Sequence, residues 1–288
     1  MNRFLKSAAI TLLMACAVMV AMGLAVNQIP LKNVYTFKYN YMEQNCSSIK
    51  TLLMGHSQFE WGLNPHAFGD STFNLAMSGR VIYYDEALLK RYMPRMENLK
   101  TVILALHYSL VGFDGFYGDD KDRAAFIYHY YRDMHIPYPK YFYHYIPYHY
   151  KELENDGVPK DVDELGYRKM TKEFQGADSW WAHNQWGQEM TCASLAEIAK
   201  LCQQHGVRLI VVTPPSAQAF LNMTTESGMR TLEETVAMVQ QDYPLEYHNY
   251  IEDSAFREHK LYYDATHLNH TGATLFAERL IKDFGIER

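Results

Sequence analysis

The sequence predicts an α/β fold in three layers, in which a doubly wound parallel sheet lies between helices on both faces. Short apolar runs, each bounded by a turn signal, fit strands that are buried on both sides, as the strands of parallel sheets are. These runs alternate with longer segments of helical periodicity, which is the pattern of strands joined by crossover helices. A separate apolar run at the N-terminus predicts a transmembrane helix ahead of this domain.

The N-terminal run follows two positive charges. Arg3 and Lys6 precede residues 7–26, which contain no charged side chain. At about 1.5 Å per residue, a helix of this length spans the roughly 30 Å of a bilayer's hydrocarbon layer. The positive flank favours the cytoplasmic side, so the rest of the chain is expected outside, in the periplasm or the extracellular space. We assign residues 1–27 to a single-pass anchor, with a cleaved signal peptide as the alternative.

Residues 28–50 are polar and aromatic without a clear period, and are predicted to form a linker. The domain is expected over residues 51–288. Its strand and helix pattern fails over residues 111–189, where tyrosine, histidine and tryptophan cluster. This segment is too aromatic to be disordered. It is therefore predicted to be an insertion packed over the mouth of the sheet.

The remaining segments of the domain are assigned from their periodicity and end signals. Strands are predicted at residues 52–54, 71–77, 100–106, 208–213 and 245–250. Helices are predicted at residues 85–96, 194–204, 231–241 and 271–284. The second of these helices is expected to begin with a capping box between Ser194 and Glu197, and the last to end at Gly285.

Composition excludes some classes of function. The formal net charge of -6 and the pI of about 6.1 give no basic patch, so nucleic acid is not an expected partner. The histidines of the insertion have irregular spacing and no nearby cysteines or paired acids, so no metal site is expected. No cofactor is implied.

Ser57 follows the first predicted strand, and ligands of open α/β sheets bind at that end of the strands. A serine hydroxyl becomes a nucleophile when a histidine removes its proton and a carboxylate orients the histidine. Asp264 and His267, three residues apart just before the last predicted helix, supply that pair. We therefore predict Ser57 as nucleophile, His267 as general base and then acid, and Asp264 as the group that fixes its tautomer. The competing interpretation is that these residues only form turns and helix caps.

The order of these residues resembles the SGNH, or GDSL-like, hydrolase superfamily. In that superfamily the serine follows the first strand and an Asp-x-x-His motif precedes the last helix. Gly55-His56-Ser57 stands in place of the first block, Gly-Asp-Ser, and Asp264 with His267 matches the fourth. The resemblance covers the chain from about residue 51 to the C-terminus without the insertion, and it implies a flavodoxin-like sheet.

The second and third blocks of the superfamily supply its oxyanion hole. Residues 74–79 match the second block, an asparagine followed by small residues and a glycine, here Gly79. The third block, Gly-x-Asn-Asp, is lost, and residues 107–110 stand in its place. The resemblance thus implies an oxyanion hole of the Ser57 and Gly79 backbone N–H groups, with Ser109 as a weaker third donor.

This pattern of kept and lost blocks resembles a divergent, membrane-anchored branch of the superfamily. That branch includes proteins that move acyl groups onto exopolysaccharides or teichoic acids, such as the alginate acetylation proteins and the D-alanyl transfer proteins of Gram-positive bacteria. The resemblance implies a serine esterase or O-acyltransferase, with acetyl as the expected group. Its expected partner is an acylated cell-surface glycan or an acyl donor protein.

Weaker expectations concern contacts with the substrate. The residues considered for them are His56, Asn74, Trp180, Trp181 and Trp186. For His56 a position in a surface loop is the alternative, and for the three tryptophans it is packing in the core. The lost third block favours a different function for the whole chain, namely a non-catalytic scaffold or glycan-binding subunit of a polysaccharide assembly complex.

Overall fold

A computed structural model describes residues 2–27, 29, 31–111, 133–136, 157–176 and 188–288 of the chain. Within these ranges, parallel strands form one five-stranded sheet in the order β2-β1-β3-β4-β5, the order of flavodoxin-like folds. The strands are β1 (Thr51–Met54), β2 (Thr72–Asn74), β3 (Thr101–Ala105), β4 (Arg208–Thr213) and β5 (Glu246–Asn249).

The α-helices of the same ranges lie between and around these strands. They are α1 (Asn2–Asn27), α2 (Val34–Asn45), α3 (Ser57–Glu60), α4 (Ile82–Tyr92), α5 (Glu189–Gln204), α6 (Gln218–Leu221), α7 (Glu226–Asp242) and α8 (His270–Phe284).

Two hydrophobic cores lie on opposite faces of the sheet. Leu52 and Met54 of β1 belong to one core, which includes apolar residues of α4, α5 and α7. Leu53 belongs to the other, which includes Phe276 of α8. Neighbouring side chains of a strand point to opposite faces, so a strand that is apolar throughout must be covered on both sides. The predicted three-layer, doubly wound α/β fold is confirmed.

Helix α1 is long and apolar enough to cross a membrane. The segment of α1 that is both long and apolar enough is Arg3–Met22, and none of it is buried against the rest of the protein. The predicted apolar N-terminal helix is therefore present. Its length and composition suit a membrane anchor and a signal sequence alike.

Helix α2 occupies part of the segment expected to be a linker. Its N-terminus is closed by a capping box between Asn33 and Thr36, and its buried residues are Tyr35, Lys38 and Met42. These three lie on one face at helical spacing. One of them is a lysine, so the buried face lacks the apolar stripe that marks a helix in sequence. Part of the segment predicted to be a linker is therefore a helix with one buried face.

Several ends of elements differ from those expected. Helix α5 begins at Glu189, and Ser194 is buried inside it, so the expected capping box at Ser194 does not form. Helix α7 begins five residues before its expected start, because Thr225 caps it through the backbone N–H of Gly228. Strand β2 keeps only the first half of its expected length. Gly285 ends α8 in the left-handed conformation, as predicted.

A buried polar cluster joins α2 to the segment that follows β2. The Lys38 side chain is fully buried, and its Nζ donates to the Ala76 carbonyl and lies 3.9 Å from Glu60 Oε1. Glu60 Oε2 in turn accepts hydrogen bonds from the backbone N–H of Ser78, at 2.7 Å, and from its hydroxyl. The cluster therefore fixes the backbone immediately before Gly79.

This cluster predicts a pH dependence of stability. Burial lowers the pKa of Lys38 from its usual 10.5 to about 7, although the charge of Glu60 opposes the change. Between about pH 7 and 10.5, Lys38 therefore carries a proton in the unfolded chain but not in the folded chain. Because the unfolded state binds more protons in this range, the contribution of Lys38 to the free energy of unfolding rises with pH there. Below about pH 7 both states are protonated and the contribution is constant.

The variant Lys38→Met tests this pH dependence, because it keeps an unbranched side chain but cannot titrate. Urea denaturation of the detergent-solubilised protein at pH 7 and pH 9 should show a smaller gain in stability at pH 9 for Lys38→Met than for the wild type. Lys90→Met, at an exposed lysine paired with Glu86, is the control and should leave the gain unchanged. An equal gain in Lys38→Met and the wild type would contradict the argument.

Candidate active site

A glycine turn delivers Ser57 to the carboxyl end of the sheet. Gly55 ends β1 with a φ of 119°, in the region that favours glycine, and a Cβ at this position would lie 2.7 Å from the Ala105 Cβ of β3. The Gly55 N–H donates to Asp85 Oδ1 at 3.1 Å, which fixes the turn from the side of α4. Ser57 therefore begins α3 directly beyond the central strands.

The structure brings Ser57, His267 and Asp264 together. Ser57 Oγ lies 2.7 Å from His267 Nε2, across 210 positions of the sequence. His267 Nδ1 lies 2.8 Å from Asp264 Oδ2 and 2.9 Å from Oδ1. A carboxylate accepts only, so Nδ1 donates to it, and Nε2 is left as the acceptor for the serine proton. This is the arrangement that a serine nucleophile requires.

Asp264 is held as an anion by its own loop. Its Oδ1 accepts from the backbone N–H groups of Thr266 and His267, each at 2.9 Å. Burial by itself would raise the pKa of Asp264, but the hydrogen bonds from His267 and from these two N–H groups outweigh it, so the pKa lies below the usual value. The carboxylate is therefore ionised at neutral pH, as its role beside an imidazole requires.

Trp61 is a site residue that the sequence prediction missed. The centroid of its indole ring lies 4.4 Å from that of the His267 ring, and the Arg168 guanidinium carbon lies 5.4 Å from the indole centroid. Trp61 follows Ser57 by four residues, and its backbone N–H donates to the Ser57 carbonyl at 2.9 Å. This one-turn spacing is the sequence signal that could have identified it. The indole therefore packs against the histidine ring.

A cavity of about 70 Å³ opens beside Ser57 Oγ and His267. The residues that line it come from the ends of β1 and β3, the segment after β2 and the loop before α8. They are His56, Ser57, Gln58, Gly79, His107, Ser109, Leu110, Thr266 and His267. The cavity is small, which suits a short acyl group better than a long chain.

All three residues predicted as oxyanion donors line the cavity. Gly79 lines it and has a φ of 70°, a left-handed conformation that favours glycine. Ser57 lines it as the first residue of α3. The backbone N–H groups of Ser57 and Gly79 are the oxyanion donors that the resemblance in sequence implies.

Ser109 does not fit the role of third donor. His107 Nδ1 accepts from the Ser109 backbone N–H at 3.3 Å, so this nitrogen carries no hydrogen. The Ser109 hydroxyl lies 2.8 Å from the same nitrogen and therefore donates to it. Both hydrogens of Ser109 are thus used by His107. Sequence alone could not show this, because it depends on the tautomer of a neighbouring ring.

Asn74 is a structural residue rather than a substrate contact. It is fully buried, its amide donates to the carbonyls of Phe59 and Leu63, and its Oδ1 accepts from the Ala76 N–H. It joins the end of β2 to the segment after α3. The expectation of a substrate contact was wrong, because all of the polar atoms of this side chain have partners inside the protein.

His56 is buried, contrary to the alternative of a surface loop. Its exposed fraction is 5%, and it lines the cavity next to Ser57. Trp180, Trp181 and Trp186 lie outside the described residues. Within the described ranges no group of three or more His, Cys, Asp or Glu side chains is arranged to hold a metal ion.

No protein family model matches the chain, and no curated protein matches it. Among solved structures, a GDSL-like lipase from Bacteroides thetaiotaomicron is 12% identical, with a TM-score of 0.46 over 87% of this chain and 97% of that one. A lipase/acylhydrolase from Enterococcus faecalis is 10% identical, with a TM-score of 0.43 over 82% and 95%.

An acetylxylan esterase from Geobacillus stearothermophilus, solved as a catalytic mutant, is 11% identical, with a TM-score of 0.41 over 84% of this chain and 96% of that one. Identities and TM-scores this low do not establish a reaction for this chain. Its chemistry has to be derived from the geometry of its own residues.

Proposed function

We propose that this protein is a serine acyl-ester hydrolase or O-acyltransferase of the SGNH type. The observation that carries the proposal is the continuous set of hydrogen bonds from Ser57 through His267 to Asp264, at 2.7 and 2.8 Å, beside an open cavity. A serine that only caps a helix needs no histidine beside its hydroxyl, and a histidine that only caps a helix needs no carboxylate at its other ring nitrogen. The full set is what nucleophilic catalysis requires.

The reaction follows from these positions. Ser57 Oγ attacks the acyl carbonyl while His267 Nε2 takes its proton, which gives a tetrahedral oxyanion beside the Ser57 and Gly79 N–H groups. His267 then gives the proton to the departing alcohol oxygen, and the acyl group stays on Ser57. A water or an acceptor hydroxyl next loses its proton to His267 and attacks the acyl-serine. The bond between Ser57 Oγ and the acyl group then breaks, and His267 returns the proton to Oγ. The products are a free acid in hydrolysis and a new ester in transfer.

The proposed acyl group is acetyl, and the proposed substrate is a polysaccharide or glycan of the cell surface. The small cavity supports a short acyl group. Helix α1 supports a single-pass protein of the cell membrane whose domain faces the extracytoplasmic side. Partners would then be an acylated glycan or an acyl donor protein.

A serine-directed fluorophosphonate probe tests the proposal directly. The detergent-solubilised wild-type protein should be labelled, and mass spectrometry should locate the phosphonyl group on Ser57. Ser57→Ala should not be labelled, and His267→Ala should be labelled much more slowly, because the serine then lacks its base. Absence of labelling in folded wild-type protein would favour the scaffold function and contradict ours.

The proposed orientation predicts protease sensitivity from outside. Arg3 and Lys6 flank the apolar segment of α1 on its N-terminal side, so residues 33–288 should lie outside the cytoplasm. Protease added to intact spheroplasts should digest this region, while a cytoplasmic control protein stays intact. Protection of the domain until the membrane is permeabilised would show that the orientation is reversed.

A further inference from the structure

The proposed oxyanion hole needs a hydrogen-bond donor in place of Ser109, which follows β3. The candidate is His56, which follows the neighbouring strand β1. His56 caps α3, and its Nδ1 accepts from the Gln58 backbone N–H at 3.4 Å. A ring nitrogen that accepts carries no hydrogen, so the hydrogen of the neutral ring is on Nε2. The backbone of α3 thus sets the tautomer of His56.

The Nε2–H group of His56 has no hydrogen-bond partner among the described residues, although the atom is buried. Buried donors in folded proteins nearly always have partners, so a partner beyond the described residues is expected for this N–H group. The side chain lines the cavity that also contains Ser57 and Gly79. A bound acyl group is the species that would enter this space.

The charge state of His56 suits a neutral donor. Burial, and then the neighbouring rings of His107 and His267, hold its pKa well below the usual range. Burial also lowers the pKa of His107, to about 3. Both rings are therefore uncharged at neutral pH, so His56 can donate through Nε2 without competing with His267 for the serine proton.

We propose that His56 donates a hydrogen bond from Nε2 to the acyl oxygen that becomes negative when Ser57 attacks. The inference rests on the proposed function and assigns the third oxyanion donor. His56 lies directly beside the nucleophile in sequence, and it is too deeply buried to reach a sugar ring at the surface. Its Nε2 hydrogen would take the place of the two hydrogens that Ser109 donates to His107.

Two substitutions separate this role from a purely structural one. An asparagine side chain ends near the position of a histidine Nδ1, so His56→Asn keeps the cap of α3 but loses the Nε2 donor. A glutamine amide nitrogen reaches the position of Nε2, so His56→Gln keeps the donor and weakens the cap. If His56 were only a cap, Asn would be the harmless replacement and Gln the damaging one.

The experiment measures hydrolysis of 4-nitrophenyl acetate by the full-length protein in detergent, with the Ser57→Ala rate subtracted. We expect His56→Asn to lower kcat about 100-fold with little change in KM, and His56→Gln to retain kcat within about tenfold. Thermal unfolding by circular dichroism shows whether each variant is folded, and phosphonylation of Ser57 shows whether its nucleophile is intact.

The outcomes are distinct. A wild-type rate equal to that of Ser57→Ala would overturn the proposed function, and the role of His56 with it. An active wild type with His56→Asn at full kcat, or with His56→Gln the weaker of the two, would overturn the role of His56 alone. A rise in KM with kcat unchanged in His56→Asn would assign His56 to binding of the ground state and would also contradict the proposal.

Discussion

Replacing Ser57 with alanine is expected to reduce turnover of an acetyl ester by about 10⁶-fold, as for other serine nucleophiles, leaving only the residual rate that the oxyanion hole and substrate binding supply. The serine oxygen forms the covalent bond to the acyl group, and no other hydroxyl lies within hydrogen-bond reach of His267 Nε2 in the described structure. The measurement is kcat for 4-nitrophenyl acetate and for an acetylated oligosaccharide.

A similar loss of turnover is expected when His267 is replaced, alone or together with Ser57. His267→Ala alone should cost about as much as Ser57→Ala, and the double variant should lose little more, since the two residues act as one unit. Ser254→Ala, at an exposed serine outside the cavity, is the control and should keep full activity. Costs that multiply in the double variant would show that the two residues act separately, which the 2.7 Å hydrogen bond does not allow.

The sequence predicts this fold well where one local pattern decides the structure. The apolar runs at β1, β3 and β4 can be covered only by helices on both faces, so the parallel sheet follows from them. Ser57, Asp264 and His267 were identified from chain order and from the spacing of the last two. Their contact in space follows from the fold, because Ser57 follows a central strand and the loop before α8 returns to the same edge.

The predictions that failed depend on contacts between distant segments. The buried face of α2, in the segment predicted to be a linker, includes Lys38, whose partners are the Ala76 carbonyl and Glu60 of other segments. Asn74 looks like a substrate contact until the carbonyls of Phe59 and Leu63 are found at its amide. In each case a polar side chain is satisfied by backbone groups of another segment, which no local pattern in the sequence records.

The variant Asp264→Asn should keep the His267 ring in place but change which of its nitrogens carries the hydrogen. In the wild type, Asp264 Oδ1 accepts from the N–H groups of Thr266 and His267 while Oδ2 faces His267 Nδ1 at 2.8 Å. Those two N–H groups will hold the amide oxygen of an asparagine at the Oδ1 position. The amide NH₂ group must then face Nδ1 and donate to it.

A ring whose Nδ1 accepts carries its hydrogen on Nε2, the nitrogen that should take the proton of Ser57. We therefore expect kcat to fall by about 10⁴-fold at neutral pH with little loss of stability, as when the wrong tautomer is imposed on other triads. Asp253→Asn is the matched control, because Asp253 Oδ1 also accepts from the backbone N–H two residues further on, here that of Ala255, but Asp253 lies outside the cavity. Activity of Asp264→Asn within tenfold of the wild type would show that the carboxylate does not set the tautomer, and that His267 is oriented by Trp61 and the loop backbone instead.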